Sequence, residues 1–143
     1  PRFVLGLQAR PFLVKPNLHE LACAAGHALS TRRAILRAAE GLLDAGAQTA
    51  VVSLGAQGAL CLASGAVFAV PAPRVVPVDT TGAGDAFNGA LCAALLADAP
   101  FPQAVSLAVR AASLSVAQPR AVASFPTREA LEASVRSAPG REK

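Results

Sequence analysis

The sequence of 143 residues has no methionine, tryptophan or tyrosine, and its aromatic residues are six phenylalanines. A surface that stacks nucleic-acid bases needs several aromatic side chains, so this scarcity argues against one. Charged residues are also sparse, at 15% of the chain against a usual fraction of about a quarter. Because 53% of the residues are hydrophobic, an intrinsically disordered chain is excluded. The composition predicts one compact globular domain with large buried faces, or part of a larger one.

Long hydrophobic runs are missing as well. No apolar stretch reaches the roughly 18 residues that a membrane-spanning helix needs, because Asn88 and Arg110 interrupt the two most apolar stretches. The run from Phe3 to Leu7 is too short for a signal peptide. We therefore expect no membrane among the partners.

Cysteine and histidine are few and widely separated. Cys23, Cys61 and Cys92 form no CxxC pair, and the two histidines complete no zinc-binding spacing. All three cysteines have alanine or leucine neighbours, which predicts buried thiols that act as small hydrophobic side chains. This usage is typical of a reducing compartment, so we expect a cytoplasmic protein.

Positive charge exceeds negative charge, but it is dispersed. The formal net charge is +4 and the isoelectric point is about 9.6. Only Arg32, Arg33 and Arg37 form a group, and they fall on one predicted helix. Because a nucleic-acid binder concentrates its positive charge on one face, we expect no nucleic acid among the partners.

Apolar spacing and turn residues predict that strands and helices interleave, which indicates an α/β fold with a largely parallel sheet. Ser64-Gly65 is expected to close a hairpin between two of the strands. The predicted strands cover residues 12–14, 49–54, 59–63, 66–70 and 75–78. The predicted helices cover residues 17–25, 32–45, 85–97, 103–117 and 128–135.

The strongest chemical signal is the run Asp79-Thr80-Thr81-Gly82-Ala83-Gly84-Asp85, which follows a predicted strand and opens a predicted helix. Helix N-termini carry unpaired amides and a partial positive charge, and glycines let an anion approach closely. The run therefore suits a phosphate group. Asp85 is suited to take a proton from a substrate hydroxyl as a general base. The alternative is that Asp85 caps the helix and the glycines only turn the chain.

Two weaker signals precede this run. Ser53-Leu54-Gly55-Ala56-Gln57-Gly58 follows a buried strand and is suited to contact a phosphate, although a tight connection to the next strand explains it equally well. Asn17 and Glu20 share one face if a helix begins here, and their oxygens can hold Mg²⁺ directly or through water. The alternative is a plain helix start, with Asn17 as the cap and Glu20 at the third helical position.

Together the three runs resemble the PfkB carbohydrate kinases, a family that includes ribokinase, 1-phosphofructokinase and tagatose-6-phosphate kinase. Residues 79–85 with Phe87-Asn88-Gly89 are similar to the family's C-terminal signature. Asn17 with Glu20 resembles its N-x-x-E motif, and residues 53–58 resemble its nucleotide-phosphate loop. The resemblance implies a ribokinase-like, Rossmann-type three-layer α/β sandwich. Residues 1–143 would be the C-terminal ATP-binding and catalytic portion of one kinase domain, with a mostly parallel sheet plus a β-hairpin, and the N-terminal half and lid would be absent.

The resemblance also implies a role for each matching residue. Asp85 would be the base on a sugar hydroxyl, beside an anion hole formed by Gly82 and the amides of Ala83, Gly84 and Asp85. Asn17 and Glu20 would organise Mg²⁺ and its waters. The residues that would contact ATP are Ser53, Gly55 and Gly58 at the phosphates and Val109 and Ala112 at the adenine. The residues that would hold a potassium-like monovalent cation are Asp79, Thr81, Ser115, Gln118 and Ser124.

Some features separate members of the family. Arg120 stands where ribokinases usually have a small residue, which counts against the cation site. Residues 79–81, 87–89 and 124–127 look more like ribokinase and favour a ribokinase-like sugar kinase, whereas residues 15–17 and 52–55 look like phosphofructokinase relatives. The expected partners are ATP and a small sugar or sugar phosphate, and a homodimer of the full-length parent. The alternatives are a sugar-phosphate kinase similar to 1-phosphofructokinase or tagatose-6-phosphate kinase, and a catalytically inactive nucleotide-binding or association fragment.

Overall fold

A computed structural model describes residues 2–119 and 122–136 of the chain. The chain divides into two compact units, Pro1–Pro71 and Ala72–Lys143, where the composition alone predicted one domain. Each unit carries part of the sequence signature, and the two are described in turn.

The first unit combines three helices with a three-stranded sheet. The helices are α1 (Arg2–Leu7), α2 (Leu18–Ala25) and α3 (Arg32–Asp44), and the strands are β1 (Thr49–Ser53), β2 (Ala59–Ala63) and β3 (Ala66–Val70). A short 3₁₀ turn over Gly55–Gln57 connects β1 to β2. The predicted hairpin 59–70 and the helices after residues 17 and 31 are confirmed.

The sheet has the order β1-β2-β3, and both strand pairs are antiparallel. The expectation of a mostly parallel sheet is therefore wrong for the described residues. The reason is the short connections, since parallel neighbours need a crossover of a dozen or more residues. Within residues 2–119 and 122–136, the parallel pairs are the isolated bridges Val14↔Ala50 and Asn17↔Ser53. Helices α2 and α3 supply the crossover between Val14 and β1.

Residues 12–14 do not form the buried strand that their apolar character predicts. Val14 makes a single bridge to β1, and the side chain of Phe12 is 59% exposed. Pro11 and Pro16 flank the segment, and proline has no amide hydrogen to donate to a sheet.

The core of the first unit lies between one face of the sheet and helices α2 and α3. Alternate residues of β1 and β2 face this core, and the helices contribute Leu21, Ile35, Ala39 and Leu42. Full burial of one leucine or isoleucine side chain contributes about 1.5–3 kcal/mol. Val51 and Cys61 alternate with the core positions and are also buried, so β1 is covered on both faces as its apolar run predicted.

Two features fix the ends of α3. The Oγ1 atom of Thr31 accepts a hydrogen bond of 3.1 Å from the amide of Ala34, so Thr31 is the N-cap. After the helix, Gly46 has φ +124°, and a Cβ atom built there would overlap the carbonyl oxygen of Leu7. The end of α1 lies so close to Gly46 that only glycine, which has no Cβ atom, can occupy this position after α3.

The second unit is helical in the described residues. Its helices are α4 (Ala83–Leu96), α5 (Phe101–Val116) and α6 (Arg128–Arg136), and a 3₁₀ turn covers Val122–Ser124. The buried faces of α4 and α5 pack together through Ala86, Phe87, Leu91, Ala94, Ala104, Val105, Ala108 and Val109. The three helices predicted near these positions are confirmed, and α4 begins two residues earlier than predicted.

The strand predicted over residues 75–78 is wrong. Val76 and Val78 are 82% and 63% exposed, and the segment pairs with no strand in the part of the chain that the structure describes. Pro73 and Pro77 remove two amide donors from a stretch too short to pair without them. The amides of Val78 and Asp79 instead donate to the carbonyl of Val116 at the end of α5.

The cysteines differ in their surroundings. Cys61 is buried, as expected, whereas Cys23 and Cys92 are exposed, so the prediction of three buried thiols is wrong for two of them. Each lies on a helix face turned away from the buried residues of that helix, so its alanine and leucine neighbours do not imply burial. Over residues 2–119 and 122–136, no helix has the length and apolar character that crossing a membrane would require.

Candidate functional site

The N-terminus of α4 contains the Gly82-Ala83-Gly84-Asp85 turn. Gly82 is the N-cap residue in the left-handed conformation, with φ 80° and ψ 0°, and no side chain caps this helix end. Asp85 occupies the first turn and is exposed. The alternative that Asp85 caps the helix is therefore wrong, although its charge still complements the positive end of the helix dipole.

The amides of this turn are only partly used. The amide of Ala83 donates to the carbonyl of Thr80 at 3.3 Å, and the amide of Ala86 donates to the carbonyl of Gly82 at 2.9 Å. Within the described residues, the amides of Gly84 and Asp85 donate to no acceptor. Two free N–H groups thus lie beside an exposed carboxylate, an arrangement that can bind an anion and accept a proton.

The loop before α4 is held by Asp79. Its Oδ1 atom accepts a hydrogen bond of 2.9 Å from the amide of Thr81, which closes a turn. Its own amide, with that of Val78, donates to the carbonyl of Val116 at 3.2 and 2.7 Å. The structure therefore brings Asp79 and Thr81 to the C-terminal end of α5.

The other residues assigned to a cation lie near that helix end. Ser115 is buried, and its hydroxyl donates to the carbonyl of Ala112 at 2.9 Å. The amide of Gln118 donates to the carbonyl of Ser115 at 3.3 Å. Ser124 is buried on the short 3₁₀ turn. Arg120, whose size counted against the cation site, lies outside the described residues.

The two residues assigned to the adenine differ in accessibility. Val109 is only 3% exposed, and its carbonyl accepts a hydrogen bond from the hydroxyl of Ser113. Ala112 is half-buried on the same helix. Ala112 therefore offers surface to a ligand, whereas Val109 belongs to the packing between α4 and α5.

In the first unit, Asn17 and Glu20 form a reciprocal cap at the start of α2. Asn17 Oδ1 accepts from the amide of Glu20, and Glu20 Oε2 accepts from the amide of Asn17, both at 2.8 Å. The helix-start alternative is confirmed. The parallel bridge between Asn17 and Ser53 places this helix end beside the end of β1.

The loop after β1 is a tight turn that leaves some amides free. The amide of Leu54 donates to the carbonyl of Gly58 at 2.8 Å, and the amide of Gly58 donates to the carbonyl of Gly55 at 3.0 Å. Gly55 and Gly58 have φ of 57° and 92°, which favours glycine. In the part of the chain that the structure describes, the amides of Gly55 and Ala56 donate to no acceptor. The alternative of a tight connection between β1 and β2 is thus supported, and the amides of Gly55 and Ala56 remain available to bind an anion.

The structure gathers these residues in two sets. Asn17, Glu20 and residues 53–58 lie together in the first unit, through the bridge at Ser53. Residues 79–85, Ser115 and Gln118 lie in the second unit, through the contact at Val116.

A comparison with protein families decides the assignment. Residues 4–128 match the model of the pfkB family carbohydrate kinases. The chain belongs to this family. The matched range includes both sets of candidate residues, from Asn17 to Ser124.

Known pfkB proteins agree with this assignment. The chain is 43% identical to 1-phosphofructokinase of Escherichia coli strain K12 over 116 residues, which cover 80% of this chain and 37% of that protein. The Escherichia coli phosphofructokinase-2 structure, solved with potassium, has a TM-score of 0.82 and 29% identity over 92% of this chain and 42% of its own. A structure of Arabidopsis thaliana ribokinase with ribose and ATP has a TM-score of 0.77 and 30% identity over 89% of this chain and 41% of its own. The ribokinase-like α/β fold is confirmed, and the chain spans less than half the length of these relatives.

The Asn17–Glu20 cap fits Mg²⁺ through water. Each side chain uses one oxygen lone pair in the cap and remains exposed, so Glu20 keeps a second carboxylate oxygen for a water or an ion. Mg²⁺ usually keeps several waters and takes one or two carboxylates plus substrate phosphates. Within the described residues, no group of three His, Cys, Asp or Glu side chains could hold a metal by itself.

Sequence reasoning gave no role to Val116, whose carbonyl accepts two amides from the loop before α4. The contact is made by main-chain atoms, so no residue type in the sequence marks it. The exposed pair of His19 and Cys23 was also missed, because apolar neighbours suggested a buried thiol. Their spacing of four residues on a predicted helix was the available signal.

Proposed function

We propose that this chain forms the nucleotide-phosphate-binding and catalytic part of an ATP-dependent carbohydrate kinase, which transfers a phosphoryl group to a sugar hydroxyl. The observation that carries the proposal is the exposed Asp85 carboxylate beside the free amides of Gly84 and Asp85 at the start of α4. Membership of the pfkB family and the ribose and ATP bound by the Arabidopsis ribokinase support the same reaction.

The chemistry divides between a base and an anion hole. Asp85 accepts the proton of the sugar hydroxyl as its oxygen attacks the terminal phosphorus of ATP. The amides of Gly84 and Asp85 donate to oxygens whose negative charge must be stabilised in the transition state. The amide of Ala83 joins them by giving up its long bond to Thr80. Gly82, in the left-handed conformation, sets the direction of all three amides.

The nucleotide is placed by the loop after β1. Ser53 and the free amides near Gly55 contact phosphate oxygens, and Gly58 keeps the turn tight. Ala112 lies against the adenine, with Val109 as the buried support beneath it. Asn17 and Glu20 order the waters of Mg²⁺, which when bound neutralises phosphate charge.

The acceptor is a small sugar or a sugar phosphate. The motifs at residues 79–81 and 87–89 favour an unphosphorylated sugar such as ribose as the acceptor. The 43% identity to Escherichia coli 1-phosphofructokinase favours a sugar phosphate instead. A panel of ribose, fructose 1-phosphate and tagatose 6-phosphate distinguishes these.

Phosphofructokinase-2 binds potassium in its structure, and we assign the same class of cation to Asp79, Thr81, Ser115, Gln118 and Ser124. We further propose that the full-length protein is a homodimer.

The test compares Asp85→Asn with the parent in the full-length natural protein, by calorimetric titration of Mg·ATP and by phosphorylation of the sugar panel. We expect unchanged nucleotide binding and a turnover lower by about 10²–10⁴-fold, because the base is lost. Asp98→Asn is the control, since Asp98 is exposed and its φ of 55° suits asparagine. Retained turnover in Asp85→Asn would contradict the assignment. If the unmodified full-length protein binds Mg·ATP but phosphorylates none of the sugars, the alternative of a catalytically inactive nucleotide-binding role would be favoured.

A further inference from the structure

Four exposed charged side chains lie in one row along the outer face of α3. The residues of this row, here called the charged stripe, are Arg33, Arg37, Glu40 and Asp44. At about 100° per residue, they fall within about 60° of the helix circumference. The buried residues of α3 lie on the opposite face. The charged stripe is therefore turned away from the core of the first unit.

This order of charges does not stabilise α3 itself. The first turn holds arginine and no acid, and the helix ends at Asp44 with no base in its last turn, which opposes the helix dipole. Arg33 and Arg37 are four residues apart, and like charges at this spacing repel each other. The same is true of Glu40 and Asp44. Within the described residues, none of the four side chains forms a hydrogen bond or an ion pair that would compensate this repulsion.

The charged stripe is complementary to its own reverse. It carries two positive and then two negative residues, at spacings of four, three and four residues. When two α3 helices run antiparallel about a two-fold axis, Arg33 of each copy lies opposite Asp44 of the other. Arg37 lies opposite Glu40 in the same register. All four ion pairs form together, and the two helix dipoles run in opposite directions, so each copy supplies the compensation that the other lacks.

Gly41 is a further residue that the packing of α3 does not explain. It lies in the helix beside the charged stripe, and a Cβ atom built there would meet nothing within 4 Å. Glycine weakens a helix interior relative to alanine, because it loses more conformational freedom on folding. A second helix that approaches closely gives this glycine a purpose, since the missing side chain leaves room for the long arginines of the other copy.

We propose that the charged stripe of α3 is a docking surface for a second copy of this protein, and that the two α3 helices pack antiparallel across it. This inference rests on the homodimer proposed above and names the surface that forms it. The pattern specifies a second copy as the occupant, because its positive and negative positions match in number, spacing and order. Exposed ion pairs are individually weak and screened by salt, so the dimer should dissociate as the salt concentration rises.

The test measures the dimer dissociation constant of the full-length natural protein by sedimentation velocity, without nucleotide or sugar, so that it does not depend on the kinase activity. One double variant, Arg33→Glu with Arg37→Glu, makes the charged stripe wholly acidic. The other, Glu40→Arg with Asp44→Arg, makes it wholly basic. We expect each variant alone to dimerise at least about tenfold more weakly, because like charges then face each other. An equimolar mixture of the two should dimerise within about threefold of the unmodified protein, since acidic and basic stripes are again complementary.

The matched control is Arg128→Glu with Arg136→Glu, which makes the same change in net charge as the acidic variant, on exposed positions of α6. We expect it to leave the dissociation constant unchanged, because a general increase in negative charge is not a change in the docking surface. Circular dichroism checks that every variant keeps the helix content of the unmodified protein.

Three results would overturn the inference, and they separate it from the homodimer on which it rests. An unmodified protein that stays monomeric removes the homodimer and this surface together. Dimers that survive both charge reversals leave the homodimer in place and exclude α3 from its interface. A mixture that dimerises as weakly as its two components shows that the reversals act through folding or through another surface.

Discussion

Asn17 and Glu20 exchange two hydrogen bonds of 2.8 Å, each between the side chain of one residue and the amide of the other. Both residues therefore stabilise the start of α2, whatever ligand they also serve. Since Gln can replace Glu at this position of a reciprocal cap, the stabilising role can be separated from the role of the charge.

We expect Glu20→Gln to weaken Mg·ATP binding by about 10–100-fold while changing the free energy of unfolding by less than about 0.5 kcal/mol. The cap survives, but the carboxylate that orders the waters of the ion does not. Asn17→Ala is the comparison, because it removes the cap and should cost about 1 kcal/mol of stability. Calorimetric titration and thermal unfolding of both variants give the two quantities. Undiminished Mg·ATP affinity in Glu20→Gln would contradict the magnesium role.

The amide of Gly84 can be removed without removing the helix. Gly84→Pro deletes the N–H at the second helical position, and α5 tolerates a proline, Pro102, at its own second position. Loss of one anion-hole donor should lower turnover by about 10²–10³-fold. Gly84→Ala keeps the N–H, and its Cβ would meet open space, so its effect should be much smaller. Equal activity of the two variants would exclude this amide from the anion hole.

Gly46 is predicted to accept no side chain without a local shift. Gly46→Ala combines φ +124° with overlap on the Leu7 carbonyl, so we expect a loss of more than about 2 kcal/mol in unfolding free energy. Gly26→Ala is the control, since Gly26 has φ +77° but open space around it, and only the backbone cost of about 1–2 kcal/mol applies. Urea unfolding of both variants measures the difference. Equal losses would show that α1 shifts to accommodate the methyl group.

Glu129 should contribute to the acid sensitivity of α6. The pKa of its carboxyl lies below the ordinary value of 4.5, because its own amide and then the hydroxyl of Thr127 donate to the carboxylate. A lowered folded-state pKa gives stability that is present above the unfolded-state value and lost as pH falls through the folded-state value. Between about pH 5 and pH 3, the unfolding temperature of the parent should therefore fall more than that of Glu129→Gln. Parallel curves for the two proteins would contradict this role.

Much of the local structure could be predicted from the sequence. The helix predicted over residues 32–45 corresponds to α3, and Ser64-Gly65 closes the predicted hairpin. These features depend on residues close in sequence. The glycine-aspartate motif at the start of α4 was also recognisable, because it follows from the same local rules of helix ends.

Features set by distant contacts could not be predicted. The strand expected near Val76 is an exposed segment tied to α5 by main-chain bonds, which the side-chain pattern does not encode. The accessibility of Cys23 and the burial of Val109 depend on which face of a helix packs against its neighbour. Apolar neighbours predicted that Cys23 is buried, and only the packing shows that it is exposed.

The carbonyl of Val116 receives the amides of Val78 and Asp79, so the last turn of α5 and the loop that leads to Asp85 are mechanically linked. A substitution that tilts α5 then moves the loop as well, although no motif residue has changed. Directed evolution of this protein should therefore target the buried alanines and valines of α5 together with the glycine-rich motif. Substitutions there should displace the loop and Asp85 together, although they lie outside the glycine-rich motif.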